Sequence, residues 1–267
     1  MREQIYLYKL DIETMKREEP RLLGLLPKWR YDKAIKYKIQ RVRYESIGAG
    51  RLLDIGIAGF FGINEGGLDW SRQKIRGLGK DENKGNFYYE HEGVRAYYNI
   101  SHSGDYVAVA VALKPCGIDI EFKDDKDFKI SQRMFNKEDQ CYICPDGDSL
   151  EAQDRFRDVW TIKESYVKCL GKGLSIPLKS FTSDYDVLRQ GGAPAILVKT
   201  DGFNDNIKKP EASDSGVNKG IQESLDIIRT DFHTRTMRLN CNDKDYSLTL
   251  CMEKDEPKIN LIRIEKL

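Results

Sequence analysis

Long apolar runs are missing from this chain. No stretch reaches the roughly 18 consecutive apolar residues that a helix needs to cross a bilayer. The first residues, Met1 to Tyr6, lack the apolar region of a secretory signal. Charge of one sign is missing too: 44 Lys and Arg against 43 Asp and Glu leave a formal charge of +1, so any basic surface must be local. Neither a zinc-finger spacing nor an aromatic-rich RNA motif is present, which argues against a nucleic-acid partner. Histidine is scarce, with 3 in all, and 6 cysteines are present. Without a signal these cysteines are expected as reduced thiols in the cytoplasm. Cys141 and Cys144 form one CxxC, a weak zinc signal without a second pair or a neighbouring His. Cys116, Cys169, Cys241 and Cys251 sit in apolar surroundings, as small buried side chains do. No solenoid repeat is visible. What remains is 267 residues with 40% hydrophobic and 33% charged side chains, the profile of a soluble globular protein of one or two domains.

The most informative stretch is 99–121, NISHSGDYVAVAVALKPCGIDIE. It predicts strand, tight polar turn, strand, short break and strand. The segment 106–113 is almost wholly apolar, as in a strand buried on both faces. Ser101, His102, Ser103, Gly104 and Asp105 are turn chemistry between two extended runs. After the break at Pro115 and Gly117, alternation places Ile118 and Ile120 on one face and Asp119 with Glu121 on the other. Two adjacent carboxylates repel unless a positive charge sits between them. A divalent cation answers this, and magnesium commonly takes one or two carboxylates plus substrate phosphates. Alone, however, an alternating strand with an acidic face in water is the more ordinary reading.

Around this centre, 4–10 predicts a strand. A helix is predicted from Pro27, with Tyr31, Ile35, Ile39 and Val42 as its apolar stripe. Its other side is basic: Lys28, Arg30, Lys33, Lys36, Lys38, Arg41 and Arg43 face one acid, Asp32. Three readings of this side stay open: a solvated face, a phosphate site held by charge, or a nucleic-acid groove. A second helix follows over 45–61, with Gly48, Ala49 and Gly50 permitting close packing. The segment 64–84 reads as a polar loop, and 123–129 as a charged one. A short helix is expected over 130–143, exposing Arg133, Met134 and Phe135, with a break at 145–148. In 154–174, Phe156, Val159, Trp160, Val167 and Leu170 form a helical stripe, and Gly171 ends the helix. Glu164 and Lys168 are one turn apart, the spacing of a surface ion pair worth about 0.2–0.5 kcal/mol. Alternating strands follow from Phe181, a long exposed insertion spans about 200–222, and 231–239 with 246–252 close as an antiparallel pair around the turn 242–245.

Each motif is weak alone. Together and in this order, NISHSG, GIDIE and WTIKESYVKCLGKGL resemble the 4′-phosphopantetheinyl transferases of the surfactin-synthetase-activating type. That family carries an (F/N)xSHS turn, a G(I/V)D(I/V)E strand and a WxxKEAxxKxxGxGL helix. The resemblance is sharp over 98–174 and fades beyond 181. It implies an α+β fold: a pseudo-twofold monomer of two similar α+β subdomains, each an antiparallel sheet packed with a long helix. The halves would be 1–115 and 116–267, with coenzyme A in the cleft between them. The implied reaction moves the 4′-phosphopantetheine arm of coenzyme A to a serine of an apo acyl, aryl or peptidyl carrier protein, releasing adenosine 3′,5′-bisphosphate with magnesium as cofactor. By resemblance, Asp119, Glu121 and Glu164 are the metal ligands, and Glu164 also takes the serine proton. Lys168 contacts the transferred phosphate. Ser101 and His102 form the phosphate-contacting turn, with Lys28, Lys33 and Arg43 on the nucleotide phosphate and Lys36 or Arg41 as substitutes. Arg133, Met134 and Phe135 match the carrier-contacting helix, although Met134 and Phe135 read equally well as core. The family's Gly-Lys-Pro has its nearest counterpart in Gly85-Asn86-Phe87, without the lysine. An alternative is a coenzyme A or nucleotide-binding regulator without transferase activity. Neither a nucleic acid nor a membrane is expected as a partner.

Overall fold

A computed structural model describes residues 3–76, 85–122, 129–145, 150–199, 227–241, 244–253, 257 and 259–267. The insertion expected at 200–222, most of the charged loop 123–129, the end of the loop 64–84, most of the break 145–148 and the first half of the turn 242–245 lie outside the described residues.

The chain opens with β1 (Glu3–Lys9) and three helices, α1 (Ile12–Gly24), α2 (Lys28–Ala34) and α3 (Gln40–Phe61). Strands β2 (Gln73–Arg76), β3 (Asn86–His91), β4 (Val94–Ser103), β5 (Tyr106–Ala112) and β6 (Cys116–Phe122) follow. Then come α4 (Lys129–Met134), α5 (Lys137–Ile143), the long α6 (Leu150–Cys169), β7 (Phe181–Ser183) and α7 (Tyr185–Arg189). Strands β8 (Ala195–Lys199), β9 (Ile227–Cys241), β10 (Lys244–Glu253) and β11 (Ile259–Ile264) complete the fold. One sheet has the order β11-β1-β5-β4-β3-β2 and the other β6-β10-β9-β8-β7. Every pairing is antiparallel except β1 with β11. The protein is therefore α+β, as the sequence predicts.

Alternation explains the layering. On β1 and β5, Tyr6, Tyr8, Val107, Val109 and Val111 face α1 and α3 in one core. Ile5, Leu7, Ala108 and Ala110 point the other way, against Ile118, Ile120, Leu248 and Leu250 of the second sheet. The second sheet's far face is covered by α6 through Val159, Ile162, Tyr166 and Cys169. Four layers result, helix–sheet–sheet–helix, and β5 is buried along its whole length because it lies in the middle. The break between β5 and β6 is where the chain passes from one sheet to the other; β11 later returns to the first.

Three local expectations change. The helix from Pro27 is two helices: α2 ends at Ala34, and Ile39 is the extended N-cap of α3. The stripe Tyr31, Ile35 and Ile39 is exposed, while Arg30 and Ala34 are buried instead. Local spacing favoured one helix, but the inward face of α2 is set by its packing on α3. Ser101 and His102 are strand residues at the end of β4, and the turn is confined to Gly104 and Asp105. The helix expected over 130–143 breaks at Phe135, because Asn136 caps α5 in a reciprocal bond with Asp139. Phe135 is 1% exposed and packs on Phe156 and Trp160, so it is core and not a surface anchor. Arg133 and Met134 are exposed, as expected.

Candidate active site

The site forms where β4, β6 and α6 meet. Strand β6 is the edge of the second sheet, and an edge leaves every other backbone N–H without a partner. Side chains of β4 fill that role at period two. Asn99 Oδ1 accepts from Ile118 N at 3.1 Å, Ser101 Oγ from Ile120 N at 3.3 Å, and Ser103 Oγ from Phe122 N at 3.1 Å. The same hydroxyls donate to the carboxylates of β6: Ser101 to Asp119 Oδ1 at 2.8 Å and Ser103 to Glu121 Oε2 at 2.9 Å. The two sheets are thus joined at the site through the alternate polar residues of NISHS, a role that no sequence signal had assigned to Asn99 and Ser103.

Helix α6 supplies the rest. Lys168 Nζ lies 2.7 Å from Asp119 Oδ1, 3.1 Å from Ser101 Oγ and 3.2 Å from Ile118 O. The expected surface pair of Glu164 with Lys168 is replaced by this contact across the junction. Asp119 is 4% exposed. Burial raises its proton affinity, partly offset by Lys168 and Ser101. Glu164 is also raised, by burial and then by the charge of Asp119, with Lys168 opposing. Asp119 and Glu164 therefore lie within electrostatic reach of one another. Asp119 Oδ2 is buried without a hydrogen-bond partner. An orphaned carboxylate oxygen within electrostatic reach of a second carboxylate fits a hard, oxygen-seeking cation. Glu121 accepts a hydrogen bond from Ser103. Among the described residues no group of three or more His, Cys, Asp or Glu side chains is arranged to hold a metal ion.

On the opposite face of β4, Tyr98, Ile100 and His102 line a cavity of about 310 Å³ closed by Trp29, Arg30, Lys33, Ser46 and Phe87 among others. Several of its buried polar atoms lack hydrogen-bond partners. Arg30 is 5% exposed, yet its Nε and Nη2 make no hydrogen bond, nor do Ser46 Oγ and Tyr98 Oη. Burial lowers the proton affinity of Arg30. Burial and the neighbouring Arg30 do the same to Lys33. Two cations beside unsatisfied donors describe an anion site. His102 belongs to both regions. Burial holds its pKa below the ordinary value, opposed by Glu45 and reinforced by Lys168, Lys33 and Arg30. Its Nδ1 is 3.4 Å from Glu45 Oε2.

Of the basic residues proposed for a phosphate, only Lys33 lines this cavity. Lys28 pairs with Asp32 at 2.8 Å, and Arg43 with Glu19 at 3.0 Å. Arg41 is bound to Glu45, Asp105 and the Gly104 carbonyl. Arg30 takes their place. Its spacing of three from Lys33 on a helix puts both on one face, which is the signal that could have selected it. Lys163 is buried. Its Nζ contacts Asp139 Oδ2 at 2.7 Å and the Leu178 and Phe181 carbonyls at 2.9 and 2.5 Å. The described cysteines are free thiols, Cys116, Cys169 and Cys251 being buried.

Carboxylates, a lysine and a cationic cavity, gathered at the junction of two α+β layers, define a site for a polyanion. The 4′-phosphopantetheinyl transferase superfamily profile matches residues 115–251, and the chain belongs to that family. It is 42% identical over 87 residues to the 4′-phosphopantetheinyl transferase Sfp of Bacillus subtilis (strain 168), covering 33% of this chain and 38% of the relative. It is 39% identical over 88 residues to the 4′-phosphopantetheinyl transferase gsp of Aneurinibacillus migulanus, covering 33% and 37%. A longer match, 28% identical over 182 residues, joins 67% of this chain to 75% of a further Bacillus subtilis 4′-phosphopantetheinyl transferase. The first two matches thus span little more than a third of those relatives. Among the described residues no helix is long and apolar enough to cross a membrane.

Proposed function

We propose that this protein transfers the 4′-phosphopantetheine arm of coenzyme A to a serine of an apo carrier protein, with magnesium as cofactor. The observation that carries this reading is the adjacency of two anion-seeking regions on one strand. Arg30, Lys33 and His102 lie on one face of β4, and Ser101 with Asp119 and Lys168 on the other. A molecule with a nucleotide phosphate at one end and a diphosphate further along suits both.

In this reading Arg30, Lys33 and His102 bind the nucleotide phosphate, and Tyr98, Trp29 and Phe87 wall its base. Lys168 holds the phosphate under attack. The carrier serine oxygen forms the new bond to that phosphorus as the phosphoanhydride bond breaks, and the pair of electrons leaves on adenosine 3′,5′-bisphosphate. Glu164, with its raised proton affinity, takes the serine proton. Asp119, Glu121 and Glu164 are the residues that would hold the cation, Asp119 and Glu121 sharing a face of β6 by alternation; it would supply charge neutralisation on the diphosphate. Lys28 and Arg43 would join the nucleotide phosphate only after leaving their present partners. Ser101 serves by fixing Asp119. The same reading takes the chain as a cytoplasmic monomer whose two halves divide near residue 115, with β11 returning to the first. Arg133 and Met134, exposed on α4, are its candidate contacts to the carrier.

The test is to incubate the protein with coenzyme A, magnesium and a panel of apo carriers and to weigh each carrier intact. A gain of one phosphopantetheine arm supports the reading. No gain on any carrier, beside a working control enzyme, rejects it. The absence of the Gly-Lys-Pro lysine, where Asn86 stands, favours a second reading, a coenzyme A-binding regulator; tight binding by calorimetry without turnover would select that one.

A further inference from the structure

We propose that Asn86 is a positioning residue for Lys168, acting by locking the last turn of α6 to the first sheet. This deepens the proposed transferase and rests on it. The last carbonyls of a helix have no partner within the helix. One of them, Cys169 O, accepts a hydrogen bond from Asn86 Nδ2 at 2.8 Å. Asn86 opens β3 of the first sheet, and Cys169 is the residue after Lys168, so the bond ties the lysine to the opposite half of the molecule.

Two glycines show how closely the turn is seated. Gly117 of β6 lies directly beneath α6: a Cβ there would stand 1.9 Å from Ser165 O and 2.4 Å from Cys169 N. Gly171, with φ of +66°, ends the helix against Gly85, and a Cβ on it would stand 2.7 Å from Gly85 C and 3.1 Å from Asn86 N. The turn is held by backbone on two sides and by the Asn86 amide on a third. Its position fixes where Lys168 Nζ meets Asp119 and Ser101. Asn86 stands at the counterpart of the lysine in the family's Gly-Lys-Pro, so the departure noted in the sequence substitutes a bond to the helix for a charge. Alternation along β3 sends Phe87 to the cavity wall and Asn86 away from it. The amide therefore acts on the lysine and not on the bound nucleotide.

The test compares Asn86→Leu and Asn86→Asp with the natural chain. Leucine keeps the volume and removes the donor; aspartate puts an acceptor against the Cys169 carbonyl. Both should lower kcat roughly 10-fold or more, the scale of a small misplacement of a reacting group, with KM for coenzyme A unchanged. In a Lys168→Met background the same changes should cost nothing further, because residues acting as a unit are non-additive. An unchanged kcat, or full additivity with Lys168→Met, would overturn the proposal. A second readout needs no turnover. The amides of Leu170 and Gly171, bonded to Tyr166 O and Lys168 O at 3.0 Å each, should exchange faster with solvent in both variants, and unaltered protection would count against the lock. If the natural chain modifies no carrier while these amides loosen as expected, the transferase reading fails and the lock stands.

Discussion

Lys163 precedes Glu164 in the sequence, and its removal separates structural from chemical roles. It is 1% exposed and Asp139 is 0% exposed. Their 2.7 Å contact is surrounded by further bonds. The lysine donates to two carbonyls and lies 4.5 Å from the Phe181 ring centroid. Asp139 accepts from Thr182 at 2.7 Å, Tyr185 at 2.6 Å and Asn136 N at 3.1 Å. Breaking one side of a buried pair costs about 3–5 kcal/mol, because the other charge is left without compensation. Asp139→Ala should sit at the upper end of that range: the ammonium loses its 2.7 Å counter-charge, and three donors lose their acceptor. Lys163→Met should sit at the lower end, since Asp139 retains those three donors. Against a total stability of about 5–15 kcal/mol, either loss is visible as a lowered urea midpoint. The pair Lys163→Met with Asp139→Leu removes the stranded ammonium but leaves the Thr182, Tyr185 and Asn136 donors without an acceptor, so it should recover only the part of the Asp139→Ala loss that the uncompensated charge causes. Transfer activity should return with the fold in that double variant. Single variants that cost under about 1 kcal/mol, or a stable double variant that stays inactive, would refute a purely structural Lys163.

Arg30→Met should weaken binding of adenosine 3′,5′-bisphosphate by roughly 10- to 100-fold, the scale of a lost charge-assisted hydrogen bond of about 1.5–3 kcal/mol. The melting temperature should hold or rise, because an unpaired buried cation has gone. Calorimetry and a thermal melt check both halves of the statement. Asp119→Asn and Glu164→Gln should abolish transfer with the circular dichroism spectrum intact. Asp119→Ala should also destabilise, since Ser101 and Lys168 lose a buried acceptor. Asp105 offers a test by pH. Burial pushes its carboxyl up, but hydrogen bonds from Lys244 and Arg41 outweigh this and hold it below the ordinary range. Its stabilisation is therefore full above the unfolded carboxylate pKa and is lost as pH falls through the lower folded value. The difference in melting temperature between the natural chain and Asp105→Asn should shrink over that acidic window; a difference that grows there would reverse the sign of the argument.

The parts of the fold legible in the sequence were those written in local periodicity. The apolar run of β5 reads as doubly buried, and the alternation of β6 separates Ile118 and Ile120 from Asp119 and Glu121. The stripe of α6 and its end at Gly171 were equally plain. Failure came where tertiary packing chose between faces that the pattern left equivalent. Tyr31, Ile35 and Ile39 have helical spacing, yet α2 buries Arg30 and Ala34. A buried arginine without a partner cannot be inferred from hydrophobic pattern, because the pattern assigns charge to solvent. Phe135 was undecided for a related reason: the Asn136–Asp139 cap that turns it inward is a polar feature in an otherwise helical segment. The parallel pairing of β1 with β11 joins the two ends of the chain, and no local signal encodes contacts of that separation.

Strand β4 explains why one short motif carries so much of the resemblance. A strand in the middle of a sheet shows alternate side chains to two different layers. Here the odd positions 99, 101 and 103 reach the second sheet, satisfy its edge and hold its carboxylates. The even positions 98, 100 and 102 reach the helical layer and wall the cationic cavity. A one-residue slip would exchange the two sets and leave β6 without partners for its backbone. The hydroxyls, the amide and the imidazole of NISHS are therefore selected together. The polar residues of the motif meet a backbone N–H or a carboxylate: Asn99, Ser101 and Ser103 on β6, and His102 on Glu45. The meeting of a cationic cavity with the buried carboxylate of Asp119 follows from the pleat of a single strand, with α6 brought against it by the glycine at 117.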